Sequence, residues 1–152
     1  MKLPLFSLYQ GLLPAVVLLL LSGVMVRAAG AAPQVYVANQ NSKTVSVIDA
    51  ATDAVDSTVP VGTDPFIVAV SPDGSRAYVT NYFGSNTVSV IDAATGTVVA
   101  TVNVGAVPYG VAVSPDGSRV YVANGGGNTV SVIDAATDTV VSTVTVGLLT
   151  VS

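Results

Sequence analysis

Tyr78-Val79-Thr80-Asn81, followed by Thr87-Val88-Ser89-Val90-Ile91-Asp92-Ala93-Ala94-Thr95, is the stretch that decides the fold. Across 87–91 polar and apolar residues alternate, so Val88 and Val90 face one way while Thr87 and Ser89 face the other. A period of two belongs to a half-buried strand, not to a helix. The unit occurs three times. Its tyrosines are Tyr36, Tyr78 and Tyr121, spaced by 42 and 43 residues, with Tyr-Val-Ala-Asn at 36–39 and 121–124. The second half starts again at Thr44 and Thr129. Repetition at about 40 to 45 residues marks propeller blades or helical arrays, and the two-residue period excludes the arrays.

Turn residues cut each unit into four predicted strands, A to D. Strand A covers 66–70 and again 109–113, and each is followed by Ser-Pro-Asp-Gly, at 71–74 and 114–117. Pro second and Gly fourth are the preferences of a type I turn, since Pro fixes φ at about −65°. Strand B covers 77–81 and strand C 87–91; strand D covers 97–104. The C–D connection is Asp92-Ala93-Ala94-Thr95-Gly96, with Asp53 and Asp138 in place of Gly96 elsewhere. Gly or Asp suits a left-handed position closing a hairpin bulge. The expected class is all-β: four-stranded antiparallel blades of β-propeller type.

The Tyr78-Val79-Thr80-Asn81 motif, with its Val-Ser-Pro-Asp-Gly and Val-Ile-Asp-Ala-Ala-Thr elements, resembles the YVTN family of β-propeller repeats. The likeness covers residues 36–147. It implies a propeller fold and an exported protein of surface-layer or cell-surface type, in a family that also includes enzyme-like relatives.

The blade count is anomalous. Gln34-Val35-Tyr36 aligns with Arg76-Ala77-Tyr78, so the repeat domain opens at strand B and yields eleven strands, about 2.75 blades. Closed propellers need about four to eight blades. The favoured reading is a truncated propeller. The other two are a module that accepts a strand from another chain and an open stack with exposed faces. Residues 148–152 only loosely match the start of another strand A, without the Pro that leads it at 65 and 108.

Lys2 and an apolar run at 12–26 precede the repeats. Fifteen residues are short of the roughly 20 that span a bilayer but fit the core of a signal peptide, and Ala29-Gly30-Ala31 supplies a cleavage signal. Residues 1–31 are therefore expected to be a signal peptide and 32–152 a partial repeat domain. The predicted location is secreted, periplasmic or cell-surface, with membrane attachment only if the leader is uncleaved.

Val, Thr and Ala number 32, 15 and 19 in a chain of 152 residues, a β-branched bias that agrees with strands. Beyond residue 31 three cations, Lys43, Arg76 and Arg119, stand against nine Asp, so no basic footprint for nucleic acid exists. Cys and His are absent from the chain, and Glu with them. That removes disulfides, thiolate metal sites, imidazole ligands and any Ser-His triad. No cofactor is expected, and the chain is read as non-catalytic, with a fragment of a lactonase-like or quinoprotein-dehydrogenase-like propeller enzyme as the alternative.

In an antiparallel meander the A–B and C–D turns share one face, and the B–C and D–A loops the other. The first pair hardly varies between repeats; the second pair varies freely, so binding is assigned to its face. The candidate interaction residues are Lys43, Tyr82, Phe83 and Tyr109. Tyr82 and Phe83 would either stack on a partner or, in the more ordinary use of such rings, cover the neighbouring blade. Gly125-Gly126-Gly127 has no following helix or Lys and is read as a hairpin loop, not a phosphate cradle. Asp49, Asp92 and Asp134 recur in phase at turn starts, where Asp holds local amides. The expected partner is a protein or cell-envelope component, or a second copy joined through open blade edges.

Overall fold

A computed structural model of the chain describes residues 24–26 and 33–148. The eleven expected strands are all present. They are β2 (Gln34–Asn39), β3 (Thr44–Asp49), β4 (Ala54–Pro60), β5 (Pro65–Val70), β6 (Arg76–Asn81), β7 (Thr87–Asp92), β8 (Thr97–Asn103), β9 (Pro108–Val113), β10 (Arg119–Asn124), β11 (Thr129–Asp134) and β12 (Thr139–Thr145). A short strand not foreseen, β1 (Val24–Val26), pairs antiparallel with β2 in the register Val24↔Val37 to Val26↔Val35. It occupies the strand A position of the first blade. Without it the backbone groups on that edge of β2 would lack partners. The proposed leader otherwise lies outside the described residues, as does 149–152; Leu148, just before, is 83% exposed and in no strand.

The strands form three four-stranded antiparallel sheets in chain order, β1 to β4, β5 to β8 and β9 to β12. The inner strands β1, β5 and β9 lie closest together, and β4, β8 and β12 are outermost. This is an incomplete β-propeller of three blades.

The two cores lie between blades, not within them. Tyr36, Val45, Val47 and Val59 of blade one pack on Val68, Ala77, Val79 and Ile91 of blade two. One repeat later, Tyr78, Val88, Val90 and Val102 pack on Val120, Val122 and Ile133 of blade three. Strand alternation produces this: Val88 and Val90 enter the second core, while Ile91 enters the first. Among the described residues, only the middle blade is covered on both sides, and β7 has no exposed residue.

The polar face of β7 is buried as well, so it needs hydrogen bonds. Asn81 Nδ2 donates to Thr87 Oγ1 (2.9 Å) and Ser89 Oγ (3.0 Å). Asn39 repeats this with Thr44 and Ser46, and Asn124 with Thr129 and Ser131. Gly62 and Gly105 press on these amides: a Cβ there would come within 2.5 Å of Asn81 and 2.6 Å of Asn124.

The turns follow their sequence chemistry. Gly74 N donates to Ser71 O at 2.7 Å, and Gly117 N to Ser114 O at 2.8 Å. At the C–D turns Asp53, Gly96 and Asp138 take φ of 54°, 63° and 54°. Each turn closes on a register shift, after Val47, Val90 and Val132.

Candidate functional site

The regular-turn face is held by carboxylates turned inward on their own loops. Asp92 Oδ1 accepts from the amides of Ala94 (3.0 Å) and Thr95 (2.8 Å), and Asp134 Oδ1 from those of Ala136 (3.0 Å) and Thr137 (3.1 Å). Asp73 and Asp116 each bind the preceding Ser hydroxyl and the Ser two residues on. These bonds favour the charged form. The Ser114 hydroxyl, with Ser118, lowers the Asp116 pKa from 3.8 to about 2. Asp73 is lowered chiefly by the Ser71 hydroxyl, Asp92 by the Thr95 amide and Asp134 by the Ala136 amide.

A cleft of about 430 Å³ opens on this face between blades two and three, lined by Asp73, Arg76, Tyr78, Asp116 and Arg119 among others. Arg76 Nη1 crosses it to Asp138 (2.7 and 2.8 Å) and to the Ala135 carbonyl (3.1 Å). Arg119 pairs instead with Asp134 of its own blade. The cleft is thus lined by groups already bonded to one another. Among the described residues no three of His, Cys, Asp and Glu are grouped to hold a metal ion.

The variable-loop face gathers aromatic rings. Phe66 and Tyr109 each follow the Pro that begins an inner strand, β5 and β9, and their rings lie 5.0 Å apart. Tyr82, at the head of the β6–β7 loop, sits 5.3 Å from Phe66 and 6.2 Å from Tyr109, edge-on to the latter. Phe83 extends the row, 5.4 Å from Tyr82, and is 60% exposed. Tyr82 therefore reaches the neighbouring blade, whereas Phe83 points its ring largely into solvent.

Neighbouring loops fix this row. The Tyr82 amide donates to Asp64 O at 2.9 Å, and Thr63 Oγ1 donates to Phe83 O at 2.8 Å. Thr63 and Ser85 also share a hydroxyl–hydroxyl bond. At the hub the Thr80 hydroxyl meets the Tyr109 carbonyl of the next blade at 3.3 Å.

Of the four sequence candidates, the structure brings together Tyr82, Phe83 and Tyr109. Lys43 holds a different position, in the corresponding loop of blade one. It has φ of 57° and caps the 3-10 turn Gln40–Ser42, as Asn86 and Asn128 take φ of 51° and 52° at the same repeat position. Its carbonyl accepts from Val61 N at 2.9 Å. This is a backbone role. Phe66 escaped the sequence reading because it stands alone in its strand; its equivalence to Tyr109, both directly after the Pro, was the available signal. The glycine loop spends its amides internally, Gly125 on Val107 O (2.9 Å) and Gly126 on Ala106 O (3.0 Å).

Residues 15–114 match the profile of the YNCE-like beta-propeller family, about two thirds of the chain. The chain belongs to this family. The match begins within the apolar run and so includes β1. No curated protein matches the chain. Among solved structures, Kuenenia stuttgartiensis hydrazine synthase is similar over 72% of this YNCE-like chain and 32% of its own, at 36% identity and a TM-score of 0.70. A functionally unknown protein from Desulfotomaculum acetoxidans is similar over 72% and 38%, at 27% identity and a TM-score of 0.62. Dihydro-heme d1 dehydrogenase NirN, at 24% identity and a TM-score of 0.62, shares the fold over 73% of this chain and 24% of its own. The chain spans less than half the length of each of these proteins.

Proposed function

We propose that this chain is an exported, non-catalytic propeller of YVTN repeat type, which binds a cell-envelope partner at the cell surface or in the periplasm through the Phe66–Tyr82–Phe83–Tyr109 row. The exposed Phe83 ring carries the reading. Three of the four rings pack on one another between blades, while Phe83 continues the row outward on loops braced by Thr63 and Ser85. A rigid aromatic row offers contact area at small entropic cost. The apolar run and Ala29-Gly30-Ala31 support export. The lack of His, Cys and Glu, with Asp73, Asp92, Asp116 and Asp134 engaged in their turns, supports binding over catalysis.

Co-sedimentation with an isolated cell-wall fraction tests this. The wild-type chain is expected to sediment, and Phe83→Ser to weaken binding by at least about tenfold, while Lys43→Asn leaves it unchanged. Failure of the wild type to sediment, or equal binding by Phe83→Ser, would count against the aromatic row.

The second reading, a section of a propeller enzyme, draws on the 36% identity to hydrazine synthase. Further repeats carrying His or Glu encoded directly after Ser152 would favour it.

A further inference from the structure

We propose that the Phe66–Tyr82–Phe83–Tyr109 row, read as above as the binding surface, takes a polysaccharide: an extended, uncharged chain of β-linked sugar rings.

Charge divides the molecule by end. Every Asp except Asp64 lies at the regular-turn end, in the A–B and C–D turns or, for Asp56, close beside one of them. Arg76 and Arg119, at the starts of β6 and β10, are there too. Among the described residues the variable-loop end keeps Lys43 and Asp64, one charge of each sign and on different loops. The surplus negative charge thus sits at the end away from the rings. A cationic ligand would be drawn to that opposite end, and an anionic one would find a single Lys, in the loop of blade one. The aromatic end suits a ligand without charge.

The groups around the rings are uncharged and able to hydrogen-bond. Tyr82 and Tyr109 are half-buried, and their phenol hydroxyls bond to no other described residue. Asn86, exposed in the same loop as Phe83, spends Oδ1 on the Val107 amide at 3.1 Å and keeps its Nδ2 group to donate. Sugar rings match both features. The slightly positive C–H groups of a sugar face lie against the negative face of an aromatic ring, while hydroxyls at its rim meet donors and acceptors.

Spacing and tilt point the same way. Phe66 to Tyr82 is 5.3 Å and Tyr82 to Phe83 5.4 Å, each close to the advance of one unit in an extended β-linked chain. Their planes differ by 31° and 56°, so no single plane passes through all three. A rigid planar ligand cannot follow such a surface, whereas separate rings joined by rotatable glycosidic bonds can. Nucleic-acid bases would stack on the same side chains, but single strands also need a positive groove along their phosphates, which Lys43 alone does not make.

Isothermal titration of the full chain tests this with three probes. They are chitohexaose, hexamannuronate (a β-linked chain with a carboxylate on every ring) and an oligothymidylate. Chitohexaose is expected to bind with a Kd below about 1 mM, and hexamannuronate at least about tenfold more weakly. Phe83→Ser should weaken chitohexaose binding about tenfold. Tyr82→Phe combined with Tyr109→Phe keeps both rings and removes both hydroxyls; it should weaken binding about fivefold with an unchanged thermal midpoint. Should Phe83→Ser fail to fold, that double variant still carries the test. No binding of chitohexaose, undiminished binding by either variant, equal binding of hexamannuronate, or tighter binding of the oligothymidylate would each overturn the proposal. Cell walls that still sediment the chain in a Phe83-dependent way while chitohexaose fails would reject the polysaccharide and keep the aromatic row. Sedimentation indifferent to Phe83→Ser would reject the row itself.

Discussion

At the residue scale the molecule is organised by side chains that satisfy backbone. Asp92 and Asp134 sit where two turn amides converge, and Asp73 and Asp116 where a Ser hydroxyl and an amide do. Each has a pKa below its ordinary value, reaching about 2 for Asp116. A carboxyl whose folded pKa lies below its unfolded one contributes stability that is complete above the unfolded value and lost as pH falls through the folded one. With no His or Cys to titrate near neutrality, the thermal midpoint is expected to stay level from about pH 5 to 8 and to fall between about pH 4 and 2. Ser114→Ala should move the Asp116 titration, followed by NMR, upward toward 3.8; an unmoved titration would contradict the assigned cause. Val107 shows the opposite situation. It is β-branched yet has φ of 57°, where its repeat equivalent is Asp64 at 49°. Such a backbone is strained for Val and more tolerable for Asp. Val107→Asp is expected to raise stability by about 1 kcal/mol in urea denaturation. A loss of stability would mean that the Val107 side-chain contacts outweigh the strain.

At the scale of elements, what could be read from sequence was what is local. Thr87 to Ile91 alternate within one strand, and Asp92 to Gly96 form one turn, so strands and turns were legible to within a residue or two. The left-handed residues Asp53, Gly96 and Asp138 were legible for the same reason. What joins separate strands was not. The Asn81 bonds to Thr87 and Ser89 cross a strand pair, and the aromatic row draws Phe66 and Tyr109 from different blades. Local spacing carries no sign of either. In the sequence Val24–Val26 shows only as part of an apolar run, because pairing with β2 depends on an edge that appears once the blade has formed. Removal of residues 1–31 should therefore expose that edge. Hydrogen exchange is expected to quicken at β2 amides that face β1, while β6 and β10 keep their protection. Unchanged exchange in β2 would mean that β1 contributes nothing to the first blade.

For the whole molecule, stability resides between sheets. The two cores join blade one to two and blade two to three, so among the described residues the middle blade is held from both sides and the outer blades from one. Tyr36, Tyr78 and Tyr121 are chemically the same residue in three settings, two covered and one open. The most direct test of this stacking is methyl–aromatic nuclear Overhauser contact from the Tyr78 ring in a methyl-labelled sample. Side-by-side blades predict cross-peaks from Tyr78 to the methyls of Val120, Val122 or Ile133, roughly one repeat away in sequence. Intact strand-pair contacts within each repeat, with no cross-peak between Tyr78 and the third repeat, would contradict it.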